Sequence, residues 1–498
     1  MNSATPPSHR LTLQILLYGA GTLAIRAASY LLVPLYTRVF APAEYALITQ
    51  FYAWAALLQI VYTCGMETAY LRFSAAYQWA YGTATSALVI SSLVFSALLV
   101  GNAECIASFL IRPGQARCVY YLAAILLTDT LVVVPMAQLR NRGRVAQFVL
   151  LKLFHAGLNL SLNLLFLLLR PRDMGIFGYF TALDWVFLSN VLASLALVLL
   201  MSQSVHRGLC GISWDRLKRM LSFALPLMAA GLAGTANEML SRIMLQHWLP
   251  PGLYPGRSKE EVLGAFAACY KLASLMLLSI QSFRYAIEPF FLSKITRKRD
   301  ADLWSQTFHW FVLGGCFVLF AIAVNLGWLS RLLVGSPKYL ETIEVVPYLA
   351  LAYLFWGICQ VMIVWIKIKV ETWRVVCIAM LGLVVNLALS ALWVERMGYW
   401  GSVWATLASC VAMSTLCYVW VKKLYAASYA VRNKLGYIGW TLLCMYAARA
   451  LVHSRAIPEV PCSLILTAIF GLLTYNTGCL FPVRFTAPPN LKEKHLPW

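Results

Sequence analysis

The stretch LVVNLALSALWVERMGYWGSVWA, residues 383–405, repeats an earlier stretch of the same chain, LSLNLLFLLLRPRDMGIFGYFTA, residues 160–182. The offset between the two copies is 223 residues. In both copies an M-G-x-x-G hairpin follows an apolar segment that contains one asparagine. The matching pairs are Leu160 and Leu383, Asn163 and Asn386, Leu164 and Leu387, Met174 and Met397, Gly175 and Gly398, Gly178 and Gly401, and Ala182 and Ala405.

The apolar character of these two copies extends over the whole chain. Of 498 residues, 61% are hydrophobic and only 12% are charged, and the mean hydropathy is +0.72. Soluble proteins contain roughly 45–50% apolar and about 25% charged residues. A soluble core of this size does not bury so many apolar side chains. The composition therefore predicts a membrane protein and excludes a cytosolic enzyme, a disordered regulator and a secreted disulfide-rich protein.

Apolar stretches long enough to cross a bilayer occur fourteen times, since a spanning helix needs roughly 20 apolar residues. The stretch at 11–37 is too long for the apolar part of a cleaved signal, and no small-residue cleavage site follows it, so we expect it to remain as the first helix. The predicted spans are 11–37, 45–71, 83–103, 118–139, 147–169, 176–203, 221–248, 262–292, 308–334, 343–366, 374–394, 400–421, 434–452 and 461–482.

The repeat divides these spans into two similar sets. Its first copy runs from helix 5 into helix 6 and its second from helix 11 into helix 12, so the offset is six helices. Because six is an even number, equivalent helices of the two sets cross the membrane in the same direction. This predicts parallel repeats, as in many alternating-access transporters. We expect an all-α membrane protein with two six-helix lobes around a central cavity. The predicted lobes are 1–212 and 213–425, and 426–498 holds two extra helices and a tail.

The net charge of +21 follows from this topology. With the N-terminus in the cytoplasm, 24 of the 40 Lys and Arg residues lie on predicted inner segments and 12 on outer segments. Cytoplasmic loops of membrane proteins carry such an excess. The bias predicts that both termini are cytoplasmic, and it explains the basic clusters without nucleic acid as a partner.

Four cations remain within the spans, and an ionisable residue at bilayer depth is costly enough to be a functional candidate. They are Arg26, Arg242, Lys271 and Arg284. Glu238 and Glu288 stand four residues from Arg242 and Arg284 on the same helices, so a neutralising pair is the alternative to a functional role. Arg26 and Lys271 have no such neighbour. We expect Arg26 and Lys271 to line an aqueous cavity that attracts an anion.

The acidic residues of the spans offer a second function. Asp129, in the middle of helix 4, either pairs with a cation or binds a proton or metal cation during transport. Glu238 and Glu288 are further candidates for such ion coupling, whereas Glu67 and Asp184 lie nearer to helix ends and are weaker.

Several chemistries are absent from the sequence. It contains no G-x-x-x-x-G-K-[ST] motif for ATP and no H-E-x-x-H or G-x-S-x-G motif. Its 13 cysteines lack metal-ligand spacing and are expected to be small buried hydrophobes. We therefore expect no enzyme, no cofactor and no resident metal.

Local motifs resemble one family. YGAGTLAIRAASYLLVPLYTRVFAPAEYALI (Tyr18–Ile48) resembles the first hairpin of the polysaccharide-biosynthesis, or oligosaccharide flippase, family of the multidrug/oligosaccharidyl-lipid/polysaccharide exporter superfamily. Other segments are similar to lipopolysaccharide-biosynthesis members of that family. They are METAYLRF (66–73), FALPLMAAGLAGTANEMLSRIML (223–245), ACYKLASLMLLSIQSFRYAIEPFF (268–291) and MGYWGSVWATL (397–407).

The resemblance implies a flippase of the bacterial inner membrane. Its cargo would be an undecaprenyl-pyrophosphate-linked oligosaccharide, such as a unit of O-antigen, capsule or exopolysaccharide. It implies that some of Arg26, Arg72, Arg242, Lys271 and Arg284 bind the pyrophosphate, with Arg72 equally suited to anchoring a helix end. Further partners would be a proton or sodium ion and the proteins of polysaccharide assembly. The segment Ser74–Tyr81 departs from the family in lacking charges.

Three alternatives stay open. A drug or cation antiporter of the same superfamily would depend most on Asp129 and Glu238. A flippase for the peptidoglycan precursor lipid II would differ mainly in cargo. An envelope glycan polymerase or ligase fits less well, because the predicted outer loops are short. The sequence does not determine the sugar, the coupling ion or the oligomeric state.

Overall fold

The computed structural model of the chain describes residues 7–74, 76–169, 180–209, 212–294, 299–368, 372–425, 431–453 and 459–480. The described residues form α-helices, one 3₁₀ segment and short connections, with no β-strand among them. In the first half the helices are α1 (Pro7–Val39), α2 (Pro42–Thr63), α3 (Met66–Phe73), α4 (Trp79–Gly101), α5 (Ala103–Leu110), α6 (Ala116–Asn141), α7 (Val145–Leu169) and α8 (Ala182–Gly208).

The second half continues the same pattern. Its helices are α9 (Trp214–Trp248), α10 (Lys259–Ala273), α11 (Leu275–Lys294), α12 (Arg299–Val324), α13 (Leu326–Leu333), the 3₁₀ segment Pro337–Val345, α14 (Val346–Ile368), α15 (Thr372–Met397), α16 (Tyr399–Tyr425), α17 (Val431–His453) and α18 (Glu459–Leu480).

Thirteen segments of the described chain are long and apolar enough to cross a membrane. Each coincides with one of the predicted spans from the second to the fourteenth. The first predicted span, 11–37, lies within the helix α1, whose side chains at 7–20 are outside the described set. The prediction of an all-α, multi-pass membrane protein is confirmed.

Several of the predicted spans are interrupted helices. The span at 45–71 breaks between α2 and α3 at Cys64 and Gly65, which have φ values of 46° and 65°. A Cβ at Gly65 would lie 2.6 Å from the carbonyl oxygen of Ala224, so a glycine is needed at this left-handed position. The span at 262–292 breaks at Ser274, and the span at 308–334 breaks at Asn325.

Helix pairs recur in the two halves of the chain. In the first half α6 packs against α2, α4 and α8. In the second half α14 packs against α11 and α12, and Ser414 on α16 donates a hydrogen bond to the carbonyl of Phe355 on α14. These are the second, third and sixth spans of each half meeting the fourth. The parallel pseudo-repeat predicted from the sequence therefore also appears in the helix packing.

The chain forms two compact units. The first comprises Met1–Leu272, Arg331–Val345 and Gly382–Ala405. Within it the 3₁₀ segment is fixed against the end of α1, because Tyr339 Oη donates to the carbonyl of Phe40 at 2.8 Å and the Gly335 N–H donates to Thr37 Oγ1 at 2.8 Å.

The second unit comprises Ala273–Ser330, Val346–Leu381 and Thr406–Trp498. Its core includes the stacked rings of Phe320 and Phe470, whose centroids are 4.1 Å apart. The lobe boundaries at 212/213 and 425/426 stay a prediction.

Candidate functional site

Three cations of the sequence analysis lie in the first unit, on three helices. Arg26 is on α1, Arg242 on α9 and Lys271 on α10. Lys271 lies within electrostatic range of both arginines and of Glu238. The structure thus places the charge of Lys271 near the charges of Arg26, Arg242 and one carboxylate, Glu238. We call these four residues the cation cluster.

Aromatic rings support two members of the cation cluster. The guanidinium carbon of Arg242 lies 4.4 Å from the ring centroid of Tyr270, and Lys271 Nζ lies 5.1 Å from that of Tyr30. Tyr270 in turn donates its hydroxyl proton to the carbonyl of Glu238 at 2.8 Å. A cation over a ring face is stabilised without losing its charge. These rings therefore hold cations in place and leave their charge for a ligand.

Glu238 does not neutralise Arg242 by direct contact. Ion pairs under 4.0 Å within the described residues include Arg112–Glu260, Arg140–Glu67 and Arg257–Glu341, but Arg242 and Glu238 form none with each other. Arg242 Nε is buried and makes no hydrogen bond in the described part of the chain. The neutralising pair that the i,i+4 spacing offered as an alternative is therefore not formed here.

The fourth cation, Arg284, belongs to the second unit. It lies on α11, and its Nη1 donates to Gln360 Oε1 on α14 at 3.3 Å. The side chain of Glu288, its predicted i,i+4 neighbour, lies outside the described residues.

Asp129 lies in a polar group that joins four helices of the first unit. It is within electrostatic range of His155 on α7 and of Tyr52 on α2. His155 Nε2 is 3.1 Å from Ser194 Oγ on α8, and Asn190 on α8 donates to Tyr52 Oη at 3.2 Å. No cation pairs with Asp129 within 4.0 Å among the described residues.

The two weaker acidic candidates, Glu67 and Asp184, have structural roles in the helix bundle. Glu67 pairs with Arg140, and Asp184 caps α8 by accepting hydrogen bonds from the Thr181 N–H and hydroxyl at 2.8 and 2.7 Å. Arg72, at the end of α3, is exposed and lies 4.3 Å over the ring of Phe223, as suits a helix-end anchor.

The aromatic partners of the cations, and His155, were not predicted from the sequence. Tyr30 stands four residues after Arg26, one helical turn away, and Tyr270 is adjacent to Lys271. Neither position predicted its contact, because Tyr30 lies over Lys271 and Tyr270 lies over Arg242, and in both pairs the cation is on another helix.

The cation cluster is suited to an anion. Three cations and one carboxylate give an excess of two positive charges, and guanidinium groups bind phosphate oxygens through paired hydrogen bonds. Such interactions are stronger where water is scarce.

A sequence model of the family described as polysaccharide biosynthesis protein matches residues 35–302. The match covers more than half of the chain, and it includes α2 to α11 with Glu238, Arg242 and Lys271. The chain belongs to this family. No curated protein matches the chain in sequence.

Solved structures show that the chain has a known fold. It is similar to the lipid II flippase MurJ in an inward closed conformation, with 12% identity and a TM-score of 0.69, over 93% of this chain and 99% of that one. An inward-facing multidrug resistance MATE family transporter of the MOP superfamily aligns with 13% identity and a TM-score of 0.61, over 83% and 97%. The MATE transporter VcmN of Vibrio cholerae, in its bent form, aligns with 14% identity and a TM-score of 0.53, over 86% and 98%. At these identities the likeness shows the fold alone.

Proposed function

We propose that this protein is a flippase that carries an undecaprenyl-pyrophosphate-linked oligosaccharide across the bacterial inner membrane, without changing it chemically. The proposal depends on one observation, the cation cluster of Arg26, Arg242 and Lys271 within a membrane-spanning bundle. Membership in a polysaccharide-biosynthesis family and a transporter fold agree with it.

The pyrophosphate is the part of the cargo that the cation cluster would bind. A pyrophosphate diester carries two negative charges, which matches the excess of two positive charges in the cluster. Arg26 and Arg242 would bind its oxygens bidentately, and Lys271 would act as a compact charge. Arg284 is a further cation for the same cargo in this proposal. An antiporter of organic cations would instead need an excess of carboxylates.

Transport would follow alternating access between the two predicted lobes. The cargo would enter from the cytoplasmic side and leave outside, with both termini of the protein in the cytoplasm. Since the sequence lacks an ATP-binding motif, a proton or sodium gradient would drive the cycle. Asp129, Glu238 and Glu288 are the proposed coupling residues.

Charge reversal in the cation cluster tests the proposal. We expect Arg26→Glu and Lys271→Glu to abolish surface glycan display in cells, because each change removes the positive excess. Lys271→Arg should retain much of it. Lys338→Glu, at an exposed lysine of the 3₁₀ segment, is the matched control and should behave as the parent protein.

The measurement pairs glycan display with protein level in the membrane. Purified variants in proteoliposomes then report flipping of a polyprenyl-pyrophosphate saccharide directly. Normal display and flipping in both reversal variants, at normal protein levels, would contradict the proposed role of the cluster. If the protein flipped lipid II and did not flip lipid-linked oligosaccharides, its cargo would be the peptidoglycan precursor.

A further inference from the structure

A small cavity of about 290 Å³ lies at one end of the first unit, at the ends of helices that the topology predicts outside. It is formed by the loop after α9, the start of α10, the 3₁₀ segment and the first residue of α16. Its lining includes Tyr254, Arg257, Val262, Glu341, Thr342 and Tyr399.

One wall of the cavity is aromatic and preformed. The rings of Tyr254 and Tyr399 stack with centroids 5.1 Å apart and an interplanar angle of 12°. Tyr254 Oη accepts a hydrogen bond from the Tyr399 N–H at 3.3 Å. Gly398, with φ of 59°, makes room for this contact, since a Cβ there would lie 2.2 Å from Tyr254 Oη. A glycine of the repeated M-G-x-x-G motif therefore shapes this wall.

Of the other lining residues, Pro255 and Val262 are apolar, and the polar ones are neutral overall. Arg257 and Glu341 form an ion pair at the partly exposed edge of the cavity. Thr342 is 2% exposed, and its Oγ1 has no nitrogen or oxygen partner in the described part of the chain. The thiol of Cys269 donates to the carbonyl of Tyr339, and its sulfur is a weak acceptor beside the Thr342 hydroxyl. The Thr342 oxygen therefore keeps its acceptor capacity for a ligand with hydrogen-bonding groups.

Packed rings connect this cavity to the cation cluster. Tyr399 contacts Phe266 at 6.4 Å between centroids, Phe266 contacts Tyr270 at 6.0 Å, and Tyr270 supports Arg242. Along α10, Val262 and Lys271 are nine positions apart, which corresponds to about 14 Å. The cavity thus lies farther along the same unit than the proposed pyrophosphate site, at a distance that one or more sugar units would bridge.

We propose that this cavity binds one neutral sugar ring of the lipid-linked oligosaccharide. A pyranose presents an apolar C–H face, which suits the negatively polarised face of a tyrosine ring, and hydroxyls, which suit Arg257, Glu341 and Thr342. The balanced charges of Arg257 and Glu341 disfavour a phosphate. Binding sites for drug-sized ligands have volumes of roughly 300–1,000 Å³, so this cavity suits a single sugar ring rather than a larger ligand. The inference rests on the proposed flippase function and assigns the sugar part of its cargo.

Saturation-transfer NMR on the purified full-length protein tests the site, with glucose, galactose, rhamnose and N-acetylglucosamine as probes. We expect saturation transfer to at least one sugar. In the double variant Arg257→Gln/Thr342→Val the effect should fall about tenfold, because the polar partners of the ring are lost. The control is Arg112→Gln, which removes another ion pair of the same unit and should leave the signal unchanged.

Saturation transfer to none of the four sugars, or equal transfer in the double variant, would overturn the sugar site. The flippase proposal is judged separately, by Lys271→Glu in the flipping assay. If Lys271→Glu abolishes flipping while no sugar binds, the function stands and the sugar site is wrong. If Lys271→Glu flips normally while sugars bind, the cavity stands as a sugar site and the role of the cation cluster is wrong.

Discussion

At the scale of single residues, the repeat places an amide at equivalent positions in the two halves. Asn163 and Asn386 are both fully buried. Asn163 Oδ1 accepts from Tyr36 Oη on α1 at 2.8 Å, and Asn386 Nδ2 donates to Asn237 Oδ1 on α9 at 3.0 Å. A buried amide without a partner is costly in a membrane bundle. Each asparagine therefore fixes the fifth span of its half against the first.

Replacing one of these amides tests that role. We expect Asn386→Leu to lower the thermal unfolding midpoint in detergent, because the buried Asn237 Oδ1 loses the hydrogen bond from Asn386, at a cost of about 1–3 kcal/mol. The matched control is Asn476→Leu, at an exposed asparagine on α18, which should change the midpoint little. Equal midpoints for the two variants would show that the Asn386 bond does not stabilise the fold.

The cations of the site were predictable at this scale, but their surroundings were not. Bilayer depth identified Arg26, Arg242 and Lys271 from the sequence alone. Tyr270 on α10 lies over Arg242 on α9, and Tyr30 on α1 lies over Lys271 on α10, so each contact joins residues of different helices. Helical periodicity assigns a residue to a face of its own helix and does not specify which helix packs on that face.

At the scale of elements, α10 crosses the start of α2 at very short range. A Cβ at Gly264 would lie 1.8 Å from the carbonyl oxygen of Pro42. We expect Gly264→Ala to lower stability, because the two backbones must separate, although alanine favours a helix by about 1 kcal/mol. Gly234→Ala on α9 is the matched control, since nothing lies within 4 Å of its added Cβ.

Thermal unfolding and membrane yield of the two alanine variants measure this effect. Gly234→Ala should be neutral or stabilising, because only the helix propensity changes there. If Gly264→Ala were equally stable, the close crossing of α10 and α2 would not constrain the bundle.

Element positions followed from the sequence, whereas the interruptions did not. Apolar length predicted thirteen spans that the described chain contains, since lipid demands about 20 apolar residues whatever the fold. The break at Cys64 and Gly65 depends on how closely Ala224 approaches, and the capping box at Thr181 and Asp184 depends on where α8 begins. Hydropathy is averaged over a window and does not detect such local contacts.

At the scale of the whole molecule, the recurrence of helix pairs follows from the number of spans in each half. Six spans per half keep both halves in the same orientation, so equivalent helices meet equivalent partners. The shared orientation of the two halves was predictable from the 223-residue offset between Asn163 and Asn386. The orientation in the membrane and the two predicted lobes stay predictions.

The proposed coupling of transport to an ion gradient also belongs to this scale. An ionised carboxylate in a span is costly, and Asp129 has no cation within ion-pair distance among the described residues. Tyr52 and His155 surround it, and Lys152 lies one turn from His155. We therefore expect Asp129 to bind the coupling proton or sodium ion in one step of the cycle.

Flipping in proteoliposomes under an imposed gradient measures this coupling. One charge moved through 100 mV supplies ~2.3 kcal/mol, so the gradient should shift the transport equilibrium of the parent protein by up to about fifty-fold. We expect Asp129→Asn to lose this response while exchange without a gradient persists, because the amide neither ionises nor takes up the ion. Asp215→Asn, at an exposed carboxylate in the first turn of α9, should respond as the parent does. A full response in Asp129→Asn would assign the coupling ion to another residue, and no response in the parent protein would remove the gradient from the mechanism.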